Sequence, residues 1–292
     1  MPAGLTVVGC GYTGRRLVLR ARDAGLTVTA LVRSKDAADT LAALGAACRR
    51  LDLDVPPTSA DAADVAGRSL VYMVPPPATG VEDTRAQTFL ESLQDRPHSI
   101  VYVSTSGVYG DCGGARVNED TPIRPMSARA KRRAAAEAAF RTWSSDTGVP
   151  VRILRVPGIY GPGRLPVDRI RQGVPVPEPG ASGPGNRIHV EDLARICLAA
   201  ACYDGECEVF NVGDGDHRDM NAYFGAVADA CGLPRPPELP MSQLLEQISP
   251  AMASFLTESR ELDLTRLFGE LRFSPLYPRF EAGLEASLAA PD

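Results

Sequence analysis

Short apolar runs alternate with amphipathic stretches from Leu5 to Val212. The short runs are Leu5–Val8, Thr27–Val32, Ala47–Leu51, Ser69–Val74, Ile100–Ser104, Arg152–Val156 and Glu208–Val212, and all but Ala47–Leu51 hold β-branched residues. Leu5–Val8 reads as a short buried strand, and the other runs are strand candidates. The stretches Arg15–Ala24, Ala37–Leu44, Val81–Leu93, Ala128–Ser144 and Val190–Cys202 carry apolar residues at helical spacing. Strands alternating with helices predict a parallel sheet covered on both faces. After Gly161 the pattern breaks. The stretch Pro162 to Asn186 is rich in proline, glycine and valine, and its core Pro175-Val176-Pro177-Glu178-Pro179-Gly180 cannot form a helix. It is expected to be a loop region over a ligand cleft. From about Asp214 onward the pattern is helical but less regular.

The first strand is followed by Gly9-Cys10-Gly11-Tyr12-Thr13-Gly14 and then by a helix. A G-x-G-x-x-G between a strand and a helix is the pattern that holds a dinucleotide. Gly9 permits the tight turn, Gly11 lets the backbone approach a pyrophosphate, and Gly14 lets the helix pack on the strand. The free N–H groups and partial positive charge of the helix start then face the phosphates. At the end of the second strand, where an acid would bond the ribose 2′-hydroxyl of NAD, the chain has Arg33 and Ser34 followed by Lys35. Cations and a hydroxyl suit a 2′-phosphate, so NADP is expected, with NAD as the alternative. Asp52, just past the third strand, is placed to accept from an adenine amino group. The expected class is α/β, with a Rossmann-type doubly wound parallel sheet. Residues 1–161 form the dinucleotide-binding domain, joined by a helix and strand returning at about 188–213. Residues 162–187 and 214–292 form a smaller part that covers the substrate.

Composition narrows the function. The 292 residues are 44% hydrophobic with a net charge of −5, which argues against a general nucleic-acid binder. No run of about 18 apolar residues is present, so no membrane span is expected. Met1-Pro2-Ala3-Gly4 leads into the first strand without a signal-peptide pattern, so the expected location is the cytoplasm. Seven scattered cysteines without C-x-x-C, and three histidines, predict neither a metal site nor a disulfide framework. Cys10 is singled out, since a thiol at a helix N-terminus can have a lowered pKa.

Several ordered motifs carry a family resemblance. They are Val101-Tyr102-Val103-Ser104-Thr105-Ser106-Gly107-Val108-Tyr109-Gly110, Asn118-Glu119-Asp120-Thr121-Pro122, Leu154-Arg155-Val156-Pro157-Gly158-Ile159-Tyr160-Gly161-Pro162-Gly163, Ile188-His189-Val190-Glu191-Asp192-Leu193-Ala194 and Phe210-Asn211-Val212-Gly213. In this order they resemble the extended short-chain dehydrogenase/reductases, the NAD-dependent epimerase/dehydratase family, over nearly the whole chain. The resemblance implies that Pro157, Gly158 and Ile159 border the nicotinamide and that Thr105 bonds a substrate oxygen. Ser104 then lies on the cofactor side and Ser106 on the substrate side. It also implies a homodimer through Ala128–Ser144 and Val81–Leu93.

The family's usual tyrosine and lysine, one helical turn apart, are missing. In Pro125-Met126-Ser127-Ala128-Arg129-Ala130-Lys131-Arg132-Arg133-Ala134-Ala135-Ala136-Glu137, anchoring on Pro125 and Glu137 puts Arg129 at the tyrosine position and Arg133 at the lysine position. A register shifted by two gives Ser127 and Lys131. Arginine stays protonated near neutral pH and shuttles no proton. The chain therefore resembles an atypical branch that keeps the cofactor fold and loses the pair. Tyr160, which follows the nicotinamide loop, and Tyr109 are candidate proton donors; otherwise both are core residues. Arg133 is a candidate for a cofactor phosphate and Arg129 for an acidic substrate. Asn186 and Arg187 end the Gly/Pro loop and are expected to reach the cleft, with Arg260 a weaker candidate of the same type. His189 is expected to brace its loop and cap the following helix.

The reading that follows is an NADP-preferring oxidoreductase acting on a small, unidentified substrate by hydride transfer. A substrate whose reduction needs no strong acid, such as an iminium or an activated double bond, suits the missing tyrosine. The alternatives are a non-catalytic NADP-binding redox sensor or regulator, and a nucleotide-sugar epimerase or dehydratase, which needs a proton-transfer group absent from the usual place.

Overall fold

The computed structural model describes residues 3–55, 65–248 and 250–290. Its centre is a seven-stranded sheet built from β1 (Leu5–Val8), β2 (Val28–Val32), β3 (Ala47–Arg50), β4 (Ser69–Tyr72), β5 (Ser99–Thr105), β6 (Val151–Val156) and β7 (Val209–Asn211). The spatial order is β7-β6-β5-β4-β1-β2-β3, with every neighbouring pair parallel. The order reverses at β1, and a doubly wound sheet binds its ligand outside the carboxyl ends of the strands at such a reversal. Register aligns those ends, since Val8 lies opposite both Leu31 and Tyr72. The Rossmann-type α/β class expected from the sequence is the class observed.

Helices fill the crossovers: α1 (Tyr12–Asp23), α2 (Lys35–Ala43), α3 (Thr84–Ser92), α4 (Ala128–Thr147), α5 (Val167–Arg171) and α6 (Val190–Ala201). Because strand side chains alternate, β1 serves two cores. Leu5 and Val7 join Leu17, Val18, Leu193 and Ile196 under α1 and α6. Val8 instead joins Leu31, Tyr72, Phe89, Tyr102 and Phe140 under α3 and α4. Asp83 and Ser127 begin α3 and α4 by accepting from the N–H groups of Ala86 and Ala130. Gly148 (φ +72°) ends α4 in the left-handed conformation that glycine adopts without strain.

The chain beyond β7 forms α7 (Met220–Ala230), α8 (Met241–Gln247), α9 (Pro250–Thr257), α10 (Thr265–Gly269) and α11 (Phe280–Ala289). A separate apolar cluster of Ile170, Val176, Tyr223, Phe224, Val227, Phe280 and Leu284 includes Tyr160. The proline-rich stretch holds short α5 and a two-residue strand, Val176–Pro177, paired with Glu238–Leu239. Among the described residues no helix is long and apolar enough to cross a membrane.

A buried polar network explains several of the sequence motifs. Arg155 on β6 donates to Glu137 on α4 at 2.9 Å, with both side chains almost fully buried. Ser104 also donates to Glu137 (2.6 Å). Arg155 donates to the Tyr109 hydroxyl (2.9 Å), which itself donates to Asn211 Oδ1 (2.7 Å). The Asn211 backbone N–H donates to Glu119 Oε1 (2.8 Å). Buried charges persist only when paired and hydrogen-bonded in this way.

Candidate functional site

The glycine loop lies where β1 meets α1. Gly9 has φ +86°, and a Cβ there would meet Val74 Cγ2 at 2.9 Å and the Val74 backbone nitrogen at 3.0 Å. A Cβ on Gly14 would meet the Gly9 carbonyl oxygen and Cys10 Cβ at 3.3 Å, because here the helix packs closely on the strand. At Gly11 a Cβ would meet nothing within 4 Å. That space borders the start of α1, which no side chain caps. Uncapped N–H groups beside a side-chain-free backbone position are what a pyrophosphate requires.

This loop opens one end of a cleft of about 1050 Å³. Gly9 to Gly14, Arg33 and Ser34 line that end. Ser104, Thr105, Ser106, Arg129, Arg133, Pro157, Gly158 and Ile159 line the middle. Arg164, Arg169, Asn186, Arg187, Tyr223, Phe224, Glu258 and Arg260 complete the lining, with Arg164 4.5 Å over the Tyr12 ring beside the glycine loop. The charge is one-sided: among the described lining residues Glu258 is the one carboxylate, facing many arginines. A smaller hollow of about 200 Å³ adjoins the loop, lined by Val8, Leu31, Asp52, Leu53, Asp54 and Arg85.

The model of the NAD dependent epimerase/dehydratase family matches residues 5–213. The chain belongs to that family. Protein YeeZ of Escherichia coli (strain K12) is 26% identical over 288 residues, covering 94% of this chain and 96% of its own. A conserved protein of unknown function from Silicibacter pomeroyi has a solved structure that is 28% identical, with a TM-score of 0.80 and 98% of each chain covered. The dTDP-glucose 4,6-dehydratase of Streptomyces griseus is 29% identical over 143 residues, which is 46% of this chain and 43% of that enzyme.

Within this family frame, most residues picked from the sequence line the cleft. Arg33 points outward and is paired only loosely with Asp54 (3.6 Å). Ser34 caps α2, accepting from the Ala37 N–H at 3.2 Å. Asp52 borders the small hollow and accepts from the Asp54 N–H. Tyr12 lines the cleft while its hydroxyl donates to the Pro162 carbonyl (2.8 Å). Thr13 borders the cleft in the first turn of α1. Thr105 Oγ1 accepts from the Gly107 N–H at 3.2 Å, which leaves its own proton to give. On α4 the cleft receives Arg129 and Arg133 of one register and Ser127 of the other, which also caps the helix; Lys131 is exposed outside the lining. Arg133 donates to the carbonyl oxygens of Val103 (3.1 Å) and Val74 (3.3 Å), so it lies across the ends of β5 and β4. Burial, and then the charge of Arg133, push the Arg129 pKa below the ordinary arginine value.

Three expectations are corrected. Neither tyrosine proposed as proton donor lines the cleft. Tyr109 is spent in the Arg155–Asn211 network. Tyr160 is turned into the C-terminal cluster, its ring 5.2 Å from those of His189 and Phe280, and burial pushes its pKa upward. Cys10 is buried rather than activated. Burial raises its thiol to about 12, outweighing the nearby charge of Arg15. Asn186 borders the cleft, but its amide is used in holding Arg260 O (2.8 Å) and the Leu262 N–H (3.0 Å). Arg187 stacks 4.0 Å over the Tyr223 ring and donates to Arg218 O. Glu258, Arg164, Arg169 and Tyr223 also line the cleft, and none of them stands in a motif legible in the sequence.

His189 caps α6 as expected, its Nδ1 accepting from the Glu191 N–H at 3.2 Å. Burial lowers its pKa to about 4, so the ring is neutral in the fold. A folded value below the unfolded value of about 6.5 means that the unfolded chain binds the proton first. The contribution of His189 to stability is therefore present above about 6.5 and lost as pH falls towards about 4. Thermal melts of wild type and His189→Asn across this window should show the two curves converging at the acidic end. A constant separation would rule the effect out.

Proposed function

We propose that this protein is an NADP-preferring oxidoreductase of the epimerase/dehydratase family, moving hydride between the nicotinamide and a small anionic substrate. The observation that carries the NADP part is Arg33, exposed at the end of β2 beside the glycine loop, where a ribose-binding acid would otherwise stand. Ser34 adds a hydroxyl at the same edge. When bound, the nicotinamide supplies or accepts the hydride. Around it Gly11 and the start of α1 hold the pyrophosphate, Arg133 and the Pro157–Ile159 loop bound the central cleft, and Thr105 orients a substrate oxygen. The excess of arginine over carboxylate in the lining supports an anionic substrate. Residues 162–187 and 214–292 are taken as the substrate-covering part, and the homodimer through α3 and α4 as the working assembly.

Arg33→Glu is expected to weaken NADPH binding by at least tenfold while leaving NADH binding within about threefold, because only NADPH brings a second anion to this edge. Calorimetric titration of both forms measures it. Equal losses for both cofactors would place Arg33 outside the 2′-phosphate site.

A nucleotide sugar is the second reading for the substrate. The far end of the cleft pairs guanidinium groups with aromatic rings, Arg187 over Tyr223 at 4.0 Å and Arg169 over Phe224 at 5.0 Å. Such pairs suit a base and its phosphates. Following nicotinamide absorbance against ketones, imines and nucleotide sugars tests the enzymatic reading. Tight cofactor binding without any turnover would favour a redox sensor instead.

A further inference from the structure

The family region ends at residue 213, and the usual tyrosine is absent. A proton-transfer group therefore has to be sought among all the described residues of the cleft, including those from the C-terminal part. Among the described residues of the lining there is no histidine and no lysine. Its arginines stay charged near neutral pH. Cys10 is held near 12, Tyr223 is likewise raised to about 12, and the hydroxyl of Tyr12 is already given to Pro162. The hydroxyls of Thr105 and its neighbouring serines are poor acids without help, so among the titratable lining groups Glu258 is what remains.

Its position is fixed by the backbone around it. The Ser259 carbonyl accepts from the N–H groups of Cys112 (2.9 Å) and Gly114 (3.2 Å), and the Ser259 N–H donates to Asp111 Oδ1 (2.9 Å). The Arg260 guanidinium donates to the Gly110 carbonyl. Together these bonds clamp residues 258–260 to the loop of residues 110–114, which follows the turn Ser106–Tyr109 after Thr105. Glu258 thus shares the cleft with Thr105, Ser106 and Arg129, the residue at the tyrosine position.

We propose that Glu258, delivered from the C-terminal part, takes the place of the missing tyrosine as the proton-transfer residue of this site. The proposal rests on the oxidoreductase reading above. In reduction of a carbonyl, hydride from the reduced nicotinamide forms the new C–H bond at the carbonyl carbon. The C=O π pair moves to oxygen, the O–H bond of the Glu258 carboxyl breaks, and its proton goes to that oxygen. The carboxylate left behind is reprotonated by water. Oxidation runs the same steps backwards, with Glu258 as base. Thr105 positions the oxygen, and Arg129 steadies the developing negative charge.

The charges facing Glu258 are Arg260 (3.6 Å away), Arg129 and Asp111. Burial raises its pKa, while the two arginines pull the other way and Asp111 adds to the rise. A raised carboxyl is still partly protonated closer to neutral pH, as a general acid must be. Reduction should slow as pH rises through that value.

The test uses the full chain loaded with NADPH and the panel of ketones, imines and nucleotide sugars. With any substrate that wild type reduces, Glu258→Gln should lower kcat by at least about 100-fold. It should abolish the alkaline limb of the pH profile and leave calorimetric NADPH affinity within about twofold. Glu258→Asp should restore part of the rate. Independently of activity, carbon-13 NMR of the glutamate carboxyls, with Glu258 assigned by its loss in Glu258→Gln, should show it titrating above the ordinary value of about 4.3. Retained activity in Glu258→Gln, NADPH affinity falling in step with rate, or titration at or below the ordinary value would each overturn the role while leaving the oxidoreductase reading intact. No turnover by wild type on any compound, with NADPH bound, would overturn that reading and this role with it.

Discussion

Gly11→Ala is expected to weaken NADPH binding about 100-fold, or about 2.7 kcal/mol, while costing about 1 kcal/mol of stability or less. The two effects separate because of what surrounds the position. A Cβ at Gly11 meets no atom of the protein within 4 Å, and φ is −83°, so no left-handed backbone is imposed. The space it would fill is the one that a pyrophosphate approaching the start of α1 needs. Gly9→Ala is the contrasting variant. There φ is +86° and the new atom lies 2.9 Å from Val74 Cγ2, so stability should fall by about 1–3 kcal/mol. Melting curves paired with calorimetry separate the two. If Gly11→Ala bound NADPH as wild type does, the open space at the glycine loop would not be a phosphate site.

Arg155→Met is expected to destabilise the protein by about 3 kcal/mol, roughly 6–12 °C in melting temperature. The substitution leaves the Glu137 carboxylate fully buried beside Ser104 with its close cation gone. It also removes a donor to the Tyr109 hydroxyl. Arg141, 3.5 Å from Glu137, softens the loss, which places the estimate at the low end of what broken buried pairs cost. Arg155→Met combined with Glu137→Leu should recover much of it, since no unpaired charge then remains inside. A double variant as unstable as the single would mean that packing, not the stranded carboxylate, sets the loss. Melting of the single and double variants measures both.

The sheet and the glycine loop were legible because each rests on local sequence. Apolar runs fix the buried strands, edge strand β3 with its exposed Arg49 and Arg50 being the exception, and the spacing of Gly9, Gly11 and Gly14 fixes the turn whatever the rest of the chain does. The shared motifs carried less chemistry than they promised. Val108-Tyr109-Gly110 and Ile159-Tyr160-Gly161 each offer a tyrosine next to the cleft in sequence. Which way a side chain leaves its backbone depends on partners far along the chain, Asn211 for Tyr109 and Phe280 for Tyr160. Cys10 misled for a related reason: a helix start lowers a thiol pKa, but the burial that opposes it is a tertiary property. Glu258 was invisible because only the bonds from residues 259 and 260 back to residues 110–114 bring it to the cleft. The neighbouring Arg260 was picked out, yet nothing in Glu258-Ser259-Arg260 marks the carboxylate as the cleft's acid.

The measurement with the greatest reach is a calorimetric titration of the purified protein with NADPH and with NADH. Binding of NADPH at least tenfold tighter, about 1.4 kcal/mol, is expected if Gly11 and α1 hold the pyrophosphate and Arg33 the 2′-phosphate. Equal or tighter binding of NADH would contradict the role of Arg33, and binding of neither would contradict the cofactor site itself.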